Sequence, residues 1–513
     1  MTEQEILLGE VPLEKLDLLT REELLQFFKL EQQFRIQLQK RVSKLTSLNE
    51  LLKQQSMILE GQYCTIKNQL FGKSSEKSPK TPPEESSQSG EVKAKKKRVL
   101  LPSERYPNAP LIEQHITLDK PPSCSCCESE MEDSGMTEDS EFLTIIPEQY
   151  LVIRQLRHKY RCGKCHANIQ TAPLPPRIKE GSAYSDEMTI DVSLTKYCDL
   201  IPIERYAAIA GRGGLKDLPP QTLIESTHYL ADFIRVIYQR LKSEIVASPL
   251  LHADETPHRM LEGDKKCSWY LWGFSTKETS YFECHDTRSG DVASGLLTHS
   301  KCTHLVSDVY SGYSKAVRET NVVRAKDGLS LIQHVYCNAH PRRYFRQAVE
   351  KFGQEAQFFV DQYKEIYKLE DEAQGKPPDE ILRIRKLMTP YFEAMKARAT
   401  SAAASYSSKS LLGKAMSYFL KNYRGMTRFL ENSSLPIDNN PQERLLRNPV
   451  IGRKTWYGTH SRRGAETAAI LFSLVESCKL NKLNPREYMK ELVKELHQGK
   501  PGFTPKEFKN RAQ

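Results

Sequence analysis

The chain has 513 residues and a formal net charge of +10, and 27% of its residues are charged and 39% hydrophobic. That length predicts three or four modules and excludes a small secreted disulfide scaffold. No apolar stretch approaches the ~20 residues of a membrane span, and Met1–Glu10 lacks the pattern of a signal peptide. We therefore expect a cytoplasmic protein without membrane contact, whose 12 cysteines stay mostly reduced and suit metal binding.

The excess positive charge is concentrated at the end of the chain. Residues 444–513 contain 15 Lys and Arg against six Asp and Glu, which is nearly the whole excess. A basic region of this kind is either an ordinary solvated surface or a surface that contacts nucleic-acid phosphates.

Residues 1–73 predict an N-terminal helical region, because residues 21–70 contain no Pro and only one Gly. Apolar residues recur at seven-residue spacing in two seams, at Leu24, Leu38, Leu45, Leu52 and Leu59, and at Phe27, Phe34 and Leu48. Such heptads predict a coiled coil that joins copies of the chain, although Glu31, Arg41 and Gln55 interrupt them. The alternative is an amphipathic helix that packs on its own chain.

Residues 74–100 predict a disordered linker, because Ser, Pro, Glu and Lys leave almost nothing to bury. The linker ends in the basic run Lys95–Arg98, for which a solvated tether is favoured over nucleic-acid contact.

Residues 101–180 predict a zinc-binding module. Two C-x-x-C pairs supply the four soft ligands of a tetrahedral site, at Cys124, Cys127, Cys162 and Cys165. Cys126 is an alternative to Cys124, and His158 and His166 lie close enough to compete as ligands. The segment Phe142–Leu156 is expected to be largely strand and to bring the two pairs together.

Residues 181–247 predict a helical, helix-turn-helix-like segment that binds DNA. Ile203–Ala210 is expected to be a helix, Gly211–Gly214 a turn, and a further helix is expected from about Pro220. Any small helical bundle would show the same pattern, and the pattern alone slightly favours that alternative.

From residue 248 the pattern changes to short strands. They are expected at Leu250–Ala253, Cys267–Phe274, Thr279–Cys284, His304–Ser307 and Gln333–Cys337. A helix is expected over Asp291–Leu297. This alternation predicts an α/β fold with a mixed sheet.

Three carboxylates in this region are candidates for a metal site. Asp254 and Asp308 each end a short buried strand, which is where open α/β sheets place their chemistry, and carboxylates suit Mg²⁺. Glu443 is expected in the first turn of a helix, with Asn440 as its cap and Pro441 as its first residue. Each position has a plainer alternative: a strand-end Asp often forms a turn, and Glu443 can complete a capping box.

A series of motifs in this chain resembles those of bacterial transposases of the insertion sequence 66 family. The resemblance rests on Leu70–Lys77, the paired cysteines, Ala253–Thr256, Ser307–Tyr313, Cys337–Arg343, Asp438–Glu443, Arg447, Gly452–Lys454, Gly464–Ala465 and Asn484–Pro485. It extends over most of the chain. The first cysteine pair departs from the family pattern, because it lacks the Pro often found there and adds Cys126.

The resemblance implies an RNase H-like catalytic core with Asp254, Asp308 and Glu443 as a DDE triad that binds Mg²⁺ or Mn²⁺. The gaps within the triad are 54 and 135 residues, and the second is long for a bare core. We therefore expect the core at residues 248–344 and 431–475, a helical insertion at 345–430, and a basic helical element at 476–513. A structural zinc and DNA-binding or multimerising N-terminal elements are also implied.

Cys337 and His340 resemble a motif seen between the second Asp and the Glu of several DDE transposases. One Cys and one His are too few to hold zinc, so an auxiliary structural or transition-state role is favoured over metal ligation. Arg447, Arg453 and Lys454 follow Glu443 and are expected to contact DNA phosphates, the alternative being ordinary helix-surface charge.

These observations predict a bacterial, nucleoid-associated DDE transposase that cleaves the ends of its element and joins them to target DNA. Expected partners are element-end and target DNA, further copies of the chain, and helper proteins encoded by the element. Two alternatives remain: a non-catalytic zinc and coiled-coil DNA-binding regulator, and an RNase H-like structure-specific nuclease.

Overall fold

The computed structural model describes residues 20–71, 101–105, 150–160, 170–261, 268–402 and 405–511, with a few positions between 111 and 142. The chain forms two compact units. The larger contains residues 1–74, 172–207 and 219–513, and the smaller contains residues 75–171 and 208–218. Among the described residues, no helix is long and apolar enough to cross a membrane.

The first element within the described residues is one continuous helix of 51 residues, α1 (Arg21–Phe71). It confirms the predicted helix. Apolar side chains of both heptad seams are exposed along it, including Phe34, Leu38, Leu45 and Leu48. The coiled coil that would cover these side chains stays a prediction.

The smaller unit contains a short helix, α2 (Pro102–Arg105), and two short strands, β1 (Lys159–Tyr160) and β2 (Gln170–Thr171). The strands pair antiparallel and flank residues 161–169, which include the second cysteine pair. The prediction that Phe142–Leu156 is largely strand is wrong for residues 150–156, the main described part of that segment. These residues form no strand, and Val152 is 96% exposed.

Between residue 181 and the sheet lie the helices α3 (Asp186–Tyr197), α4 (Ile203–Arg212), α5 (Pro220–Phe233) and α6 (Arg235–Val246). Ser185 caps α3 by accepting a hydrogen bond from the Met188 amide, and Pro220 opens α5 as predicted. The predicted helices on either side of Gly211–Gly214 are confirmed, whereas their DNA-binding role stays a prediction.

A five-stranded mixed sheet forms the centre of the larger unit. Its strands are β3 (Leu250–Arg259), β4 (Ser268–Ser275), β5 (Ser280–His285), β6 (His304–Ser307) and β7 (Gln333–Tyr336). They lie in the order β5-β4-β3-β6-β7, with β3 to β5 antiparallel and β6 and β7 parallel to β3. The mixed sheet predicted from the sequence is confirmed.

The strand that carries Asp254 is longer than predicted. It continues to Arg259 and pairs with β4 throughout that extension, whereas its parallel pairing with β6 stops at His252. Asp254 therefore lies inside β3, just beyond the point where β6 ends. Proline is unusual in a strand that pairs on both sides, because it has no amide hydrogen to donate. Pro257 is tolerated because this half of β3 pairs only with β4.

Helices complete the larger unit. They are α7 (Asp291–Thr298), α8 (Ser311–Lys326), α9 (Ala339–Ala373), α10 (Pro378–Lys386), α11 (Thr389–Ala402), α12 (Leu411–Thr427), α13 (Asn440–Trp456), α14 (Arg462–Leu480), α15 (Pro485–His497) and α16 (Pro505–Arg511). Helix α9 is kinked at Gly353, whose φ is 46°. Helices α9 to α12 share a core that includes Phe345, Phe359, Phe392 and Phe419. The predicted helical character of residues 345–430 is thus confirmed, whereas its description as an insertion stays a prediction.

Candidate active site

Asp254 lies at the centre of the candidate site, on β3. Its side chain is half-buried, and its Oδ1 accepts a hydrogen bond from the Glu255 amide at 2.9 Å. Burial raises the pKa of Asp254 well above its usual value, and the negative charges of Glu255, Asp308 and Glu443 raise it further. The structure therefore brings Asp308 and Glu443 within electrostatic range of Asp254.

Asp308 directly follows β6, and both its side chain and its backbone carbonyl accept hydrogen bonds. Its Oδ1 accepts a hydrogen bond from the Tyr310 amide at 3.0 Å, and its backbone carbonyl accepts one from the Ser307 hydroxyl at 2.7 Å. The Ser307 Oγ lies 2.7 Å from His334 Nε2 on β7. The hydroxyl proton of Ser307 is directed to the Asp308 carbonyl, so His334 Nε2 is the donor in this contact.

Glu443 lies in the first turn of α13, as predicted, but the helix begins differently. Its cap is Asn439 rather than Asn440, and the Asn439 side chain makes no capping hydrogen bond. Instead, its Nδ2 donates to the Ala253 carbonyl at 2.9 Å and its Oδ1 lies 2.9 Å from His252 Nδ1. This tertiary use of Asn439 fixes the start of α13 against β3, next to Asp254.

The carboxylate of Glu443 does not complete a capping box. Its Oε1 is buried and has no hydrogen-bond partner among the described residues. His340 Nε2 lies 3.9 Å from Oε1, and an Arg343 guanidinium nitrogen lies 3.6 Å from Oε2. A buried carboxylate oxygen that accepts no hydrogen bond and lies beside two further carboxylates is a suitable ligand for a divalent cation.

Cys337 and His340 lie beside Glu443. One ligand atom from each of the three residues falls within 4.8 Å of the others. The Cys337 sulfur accepts a hydrogen bond from the Asn439 amide at 3.2 Å, and burial raises the pKa of its thiol. The contact ties Cys337 to the start of α13, and its auxiliary role stays a prediction.

Sequence reasoning missed Glu255 as part of the site. Its side chain is only 2% exposed, and it accepts hydrogen bonds from Arg288 Nε at 2.8 Å and from the Tyr313 hydroxyl at 2.7 Å. Adjacent strand residues point to opposite faces, so Glu255 was not expected to join the Asp254 cluster. Both Glu255 and Tyr313 occur inside motifs on which the family resemblance rests, and this position is the sequence signal that could have identified them.

The proposed phosphate contacts lie along α13. Arg447 and Lys454 are exposed and follow Glu443 at spacings of four and 11 residues, which places all three on one helix face. Neither cation forms an ion pair with a described residue. Arg453 is half-buried, and burial lowers its pKa.

The basic end of the chain is less available to DNA than its composition suggests. Seven of its 15 cations form ion pairs: Arg462, Arg463, Lys479, Arg486, Lys494, Lys506 and Arg511. Arg463, for example, pairs with Glu225 and Asp232 of α5, and Lys506 pairs with Glu278. Part of this charge therefore stabilises the larger unit.

The four predicted zinc ligands lie outside the described residues. Of the first cysteine pair and its neighbours, only Cys126 and Glu128 are described, and Cys126 is exposed.

Comparison with known protein families identifies two parts of the chain. The family described as Transposase IS66 family matches residues 181–467, which is more than half of the chain. The zinc-finger binding domain of transposase IS66 matches residues 121–166, which contain all four predicted zinc ligands.

Three similar proteins come from Sinorhizobium fredii (strain NBRC 101917 / NGR234). The uncharacterized protein y4jD is 27% identical over 390 residues, which cover 74% of this chain and 75% of the relative. The uncharacterized proteins y4hP and y4qI are 25% and 26% identical, over 74% and 76% of this chain and 71% and 73% of their own lengths. The Transposase IS66 family match covers more than half of this chain, so the chain belongs to the IS66 family of transposases.

Proposed function

We propose that this transposase cuts the ends of its insertion element and joins them to target DNA through Asp254, Asp308 and Glu443. The observation that carries the proposal is the convergence of these three carboxylates, one on β3, one directly after β6 and one on α13. The strand order and the mixed pairing of the sheet support an RNase H-like core. Element-end DNA, target DNA and element-encoded helper proteins are the proposed partners.

The three carboxylates would hold Mg²⁺ or Mn²⁺. When bound, such ions would offset the negative charge of the scissile phosphodiester and favour deprotonation of the attacking hydroxyl or water. The chain itself fixes the ligand positions: the Glu255 and Tyr310 amides hold the two aspartates, and Asn439 holds the helix of Glu443. Arg447 and Lys454 would bind neighbouring phosphates along the same helix face.

Two reactions would use this one site. In the first, water attacks a phosphodiester at the element end and the 3′ oxygen leaves as a hydroxyl. In the second, that 3′ hydroxyl attacks a target phosphodiester and displaces a target 3′ oxygen. Both steps depend on positioning and charge neutralisation rather than on a covalent enzyme intermediate.

Two further parts complete the proposal. Cys124, Cys127, Cys162 and Cys165 would bind a structural zinc in the segment matched by the zinc-finger domain. Pairing of two element ends requires at least two copies of the chain, and the exposed apolar seams of α1 offer one means of joining them.

The test uses the full chain, Mg²⁺ and labelled duplexes that carry the inverted repeats flanking the gene. We expect Asp254→Asn, Asp308→Asn and Glu443→Gln each to abolish cleavage and joining while DNA binding persists. Asp327→Asn, which changes an exposed carboxylate at the end of α8, is expected to retain both activities.

Each contrary outcome points to a different function. Joining that persists in Asp254→Asn would remove this residue from the site. Cleavage without joining by the unaltered chain would favour the structure-specific nuclease, and binding without either reaction would favour the regulator.

A further inference from the structure

A cavity of about 350 Å³ lies along the outer side of β7, apart from the three carboxylates. Strand β7 is at the edge of the sheet, so its outer side faces helices rather than another strand. Val317 of α8, Ile332 and Tyr336 give the cavity apolar walls. A Cβ on Gly425 would lie 2.2 Å from the Tyr336 ring, so α12 packs closely against β7 and this wall is well fixed.

Three cations also line the cavity: Lys421 and Arg424 on α12, and Arg428 directly after it. Within the part of the chain that the structure describes, none of the three forms an ion pair. Arg428 Nη1 donates to the His334 carbonyl at 2.8 Å, which leaves other guanidinium donors for a ligand. Burial, and then the positive charge of Arg424, lower the pKa of Arg428.

The cavity shares a wall with the catalytic edge of the sheet. Tyr336 pairs with Ser307, the residue before Asp308, and adjacent strands are about 4.8 Å apart. His334, also in the cavity wall, contacts the same Ser307 through its ring. We therefore expect a DNA strand that passes Asp308 to come within reach of Lys421, Arg424 and Arg428.

We propose that this cavity binds a backbone phosphate of the DNA on which the enzyme acts, through Lys421, Arg424 and Arg428. The proposal rests on the proposed function, because the ligand is the transposase's own substrate. Guanidinium groups match phosphate geometry, and the apolar walls suit the sugar next to that phosphate. This phosphate contact lies on the β7 side of Asp308. It is separate from the phosphate contacts proposed for Arg447 and Lys454, which follow Glu443 on α13.

The test is DNA binding in EDTA, where cleavage does not interfere, measured with a fluorescent element-end duplex over a range of KCl concentrations. We expect Lys421→Gln/Arg424→Gln to bind more weakly. The slope of log Kd against log salt should fall by about 1 to 2, because each lost phosphate contact contributes about 0.9. Both side chains are exposed, so the fold should be unaffected, and equal thermal midpoints would verify this.

The matched control is Lys364→Gln/Lys386→Gln, which removes two exposed charges outside the cavity. It is expected to keep the salt slope of the unaltered chain. A cavity variant with an unchanged affinity and slope would overturn the proposal and leave the proposed function standing. Failure of the unaltered chain to bind the duplex would instead reject the proposed function and this inference together.

Free phosphate is the other source of the same chemistry. Calorimetric titration with inorganic phosphate is expected to show no saturable binding at the concentrations used for DNA. Saturable phosphate binding that Lys421→Gln/Arg424→Gln abolishes, with DNA affinity unchanged, would identify a small-anion site and overturn the DNA assignment.

Discussion

Glu255 is a charged side chain buried next to the three candidate metal ligands. Its carboxylate is bound to Arg288, whose guanidinium carbon lies 4.1 Å from the centre of the Tyr310 ring. The Tyr310 hydroxyl donates to the Arg288 carbonyl, and the Tyr310 amide donates to Asp308. This chain of contacts links Asp254 to Asp308 through groups that bind no metal themselves. It fixes the separation of the two aspartates and supplies one positive charge beside them.

We expect Glu255→Gln to lower the cleavage rate by about 10- to 100-fold, as is typical when a group that orients metal ligands is changed. Its amide keeps the size of the side chain but removes the charge that holds Arg288. The Mg²⁺ concentration at half-maximal rate should rise as well, which loss of folded protein alone would not cause. The control is Glu319→Gln on α8, which changes an exposed carboxylate. An unaltered rate and Mg²⁺ dependence in Glu255→Gln would contradict the positioning role.

At the level of elements, the approach of α13 to the sheet depends on a glycine. Gly273 of β4 pairs with Asp254 of β3, and a Cβ at Gly273 would lie 2.3 Å from Gln442 Nε2 and 2.9 Å from the Phe282 ring. Gln442 is fully buried and directly precedes Glu443. The missing side chain on β4 therefore creates the space in which α13 delivers its carboxylate.

Gly273→Ala is expected to destabilise the protein by about 1–3 kcal/mol, because the added methyl group overpacks a filled site. It should also slow cleavage, since the displaced Gln442 moves Glu443. Thermal unfolding and the cleavage rate measure the two effects. Gly295→Ala is the control: it lies exposed on α7 with nothing within 4 Å of its Cβ, and alanine there should stabilise by about 0.5–1 kcal/mol. Equal stability and rate for Gly273→Ala and the unaltered chain would refute the close approach.

Local patterns predicted the strands and helices well and the contacts between them poorly. The strand at His304–Ser307 was predicted at its exact bounds because its apolar run is short and clearly delimited. The extension of β3 was missed because its buried residues include Thr256 and His258, which carry no hydrophobic signal. Asn439 was missed because its partners, His252 and the Ala253 carbonyl, are more than 180 residues away in the chain. The Glu255–Arg288 pair is likewise a tertiary contact that no sequence period marks.

At the scale of the whole molecule, buried histidines make the folded state sensitive to acid. Burial, together with the charge of Arg453, lowers the pKa of His258 to about 4. Burial, together with the charge of Arg428, lowers the pKa of His334 to about 3. Both side chains are neutral in the folded protein at neutral pH, whereas in the unfolded chain they titrate near pH 6.5.

We therefore expect the free energy of unfolding to fall as the pH drops below about 6.5. Between that pH and the folded pKa values, the unfolded chain binds protons that the folded chain does not, and this favours unfolding. The loss attributable to His258 reaches about 3 kcal/mol near pH 4. Urea unfolding midpoints from pH 4 to pH 8 measure it. In His258→Gln the midpoint should depend less on pH, while His299→Gln, which changes an exposed histidine, should follow the unaltered chain. Identical profiles for all three would contradict the prediction.

The long separation of the carboxylates along the chain has a consequence for the protein during its synthesis. Asp254 and Glu443 are 189 residues apart, and the helices α9 to α12 lie between them. At about 5–20 residues per second, a ribosome needs roughly 10–40 s to pass from one to the other. Throughout that interval the nascent chain already contains the segments matched by the zinc-finger domain and the first aspartate, but it lacks the third carboxylate. A chain still on the ribosome, or one terminated before Glu443, is therefore expected to be unable to cut DNA, so the length of the intervening helices delays the onset of activity.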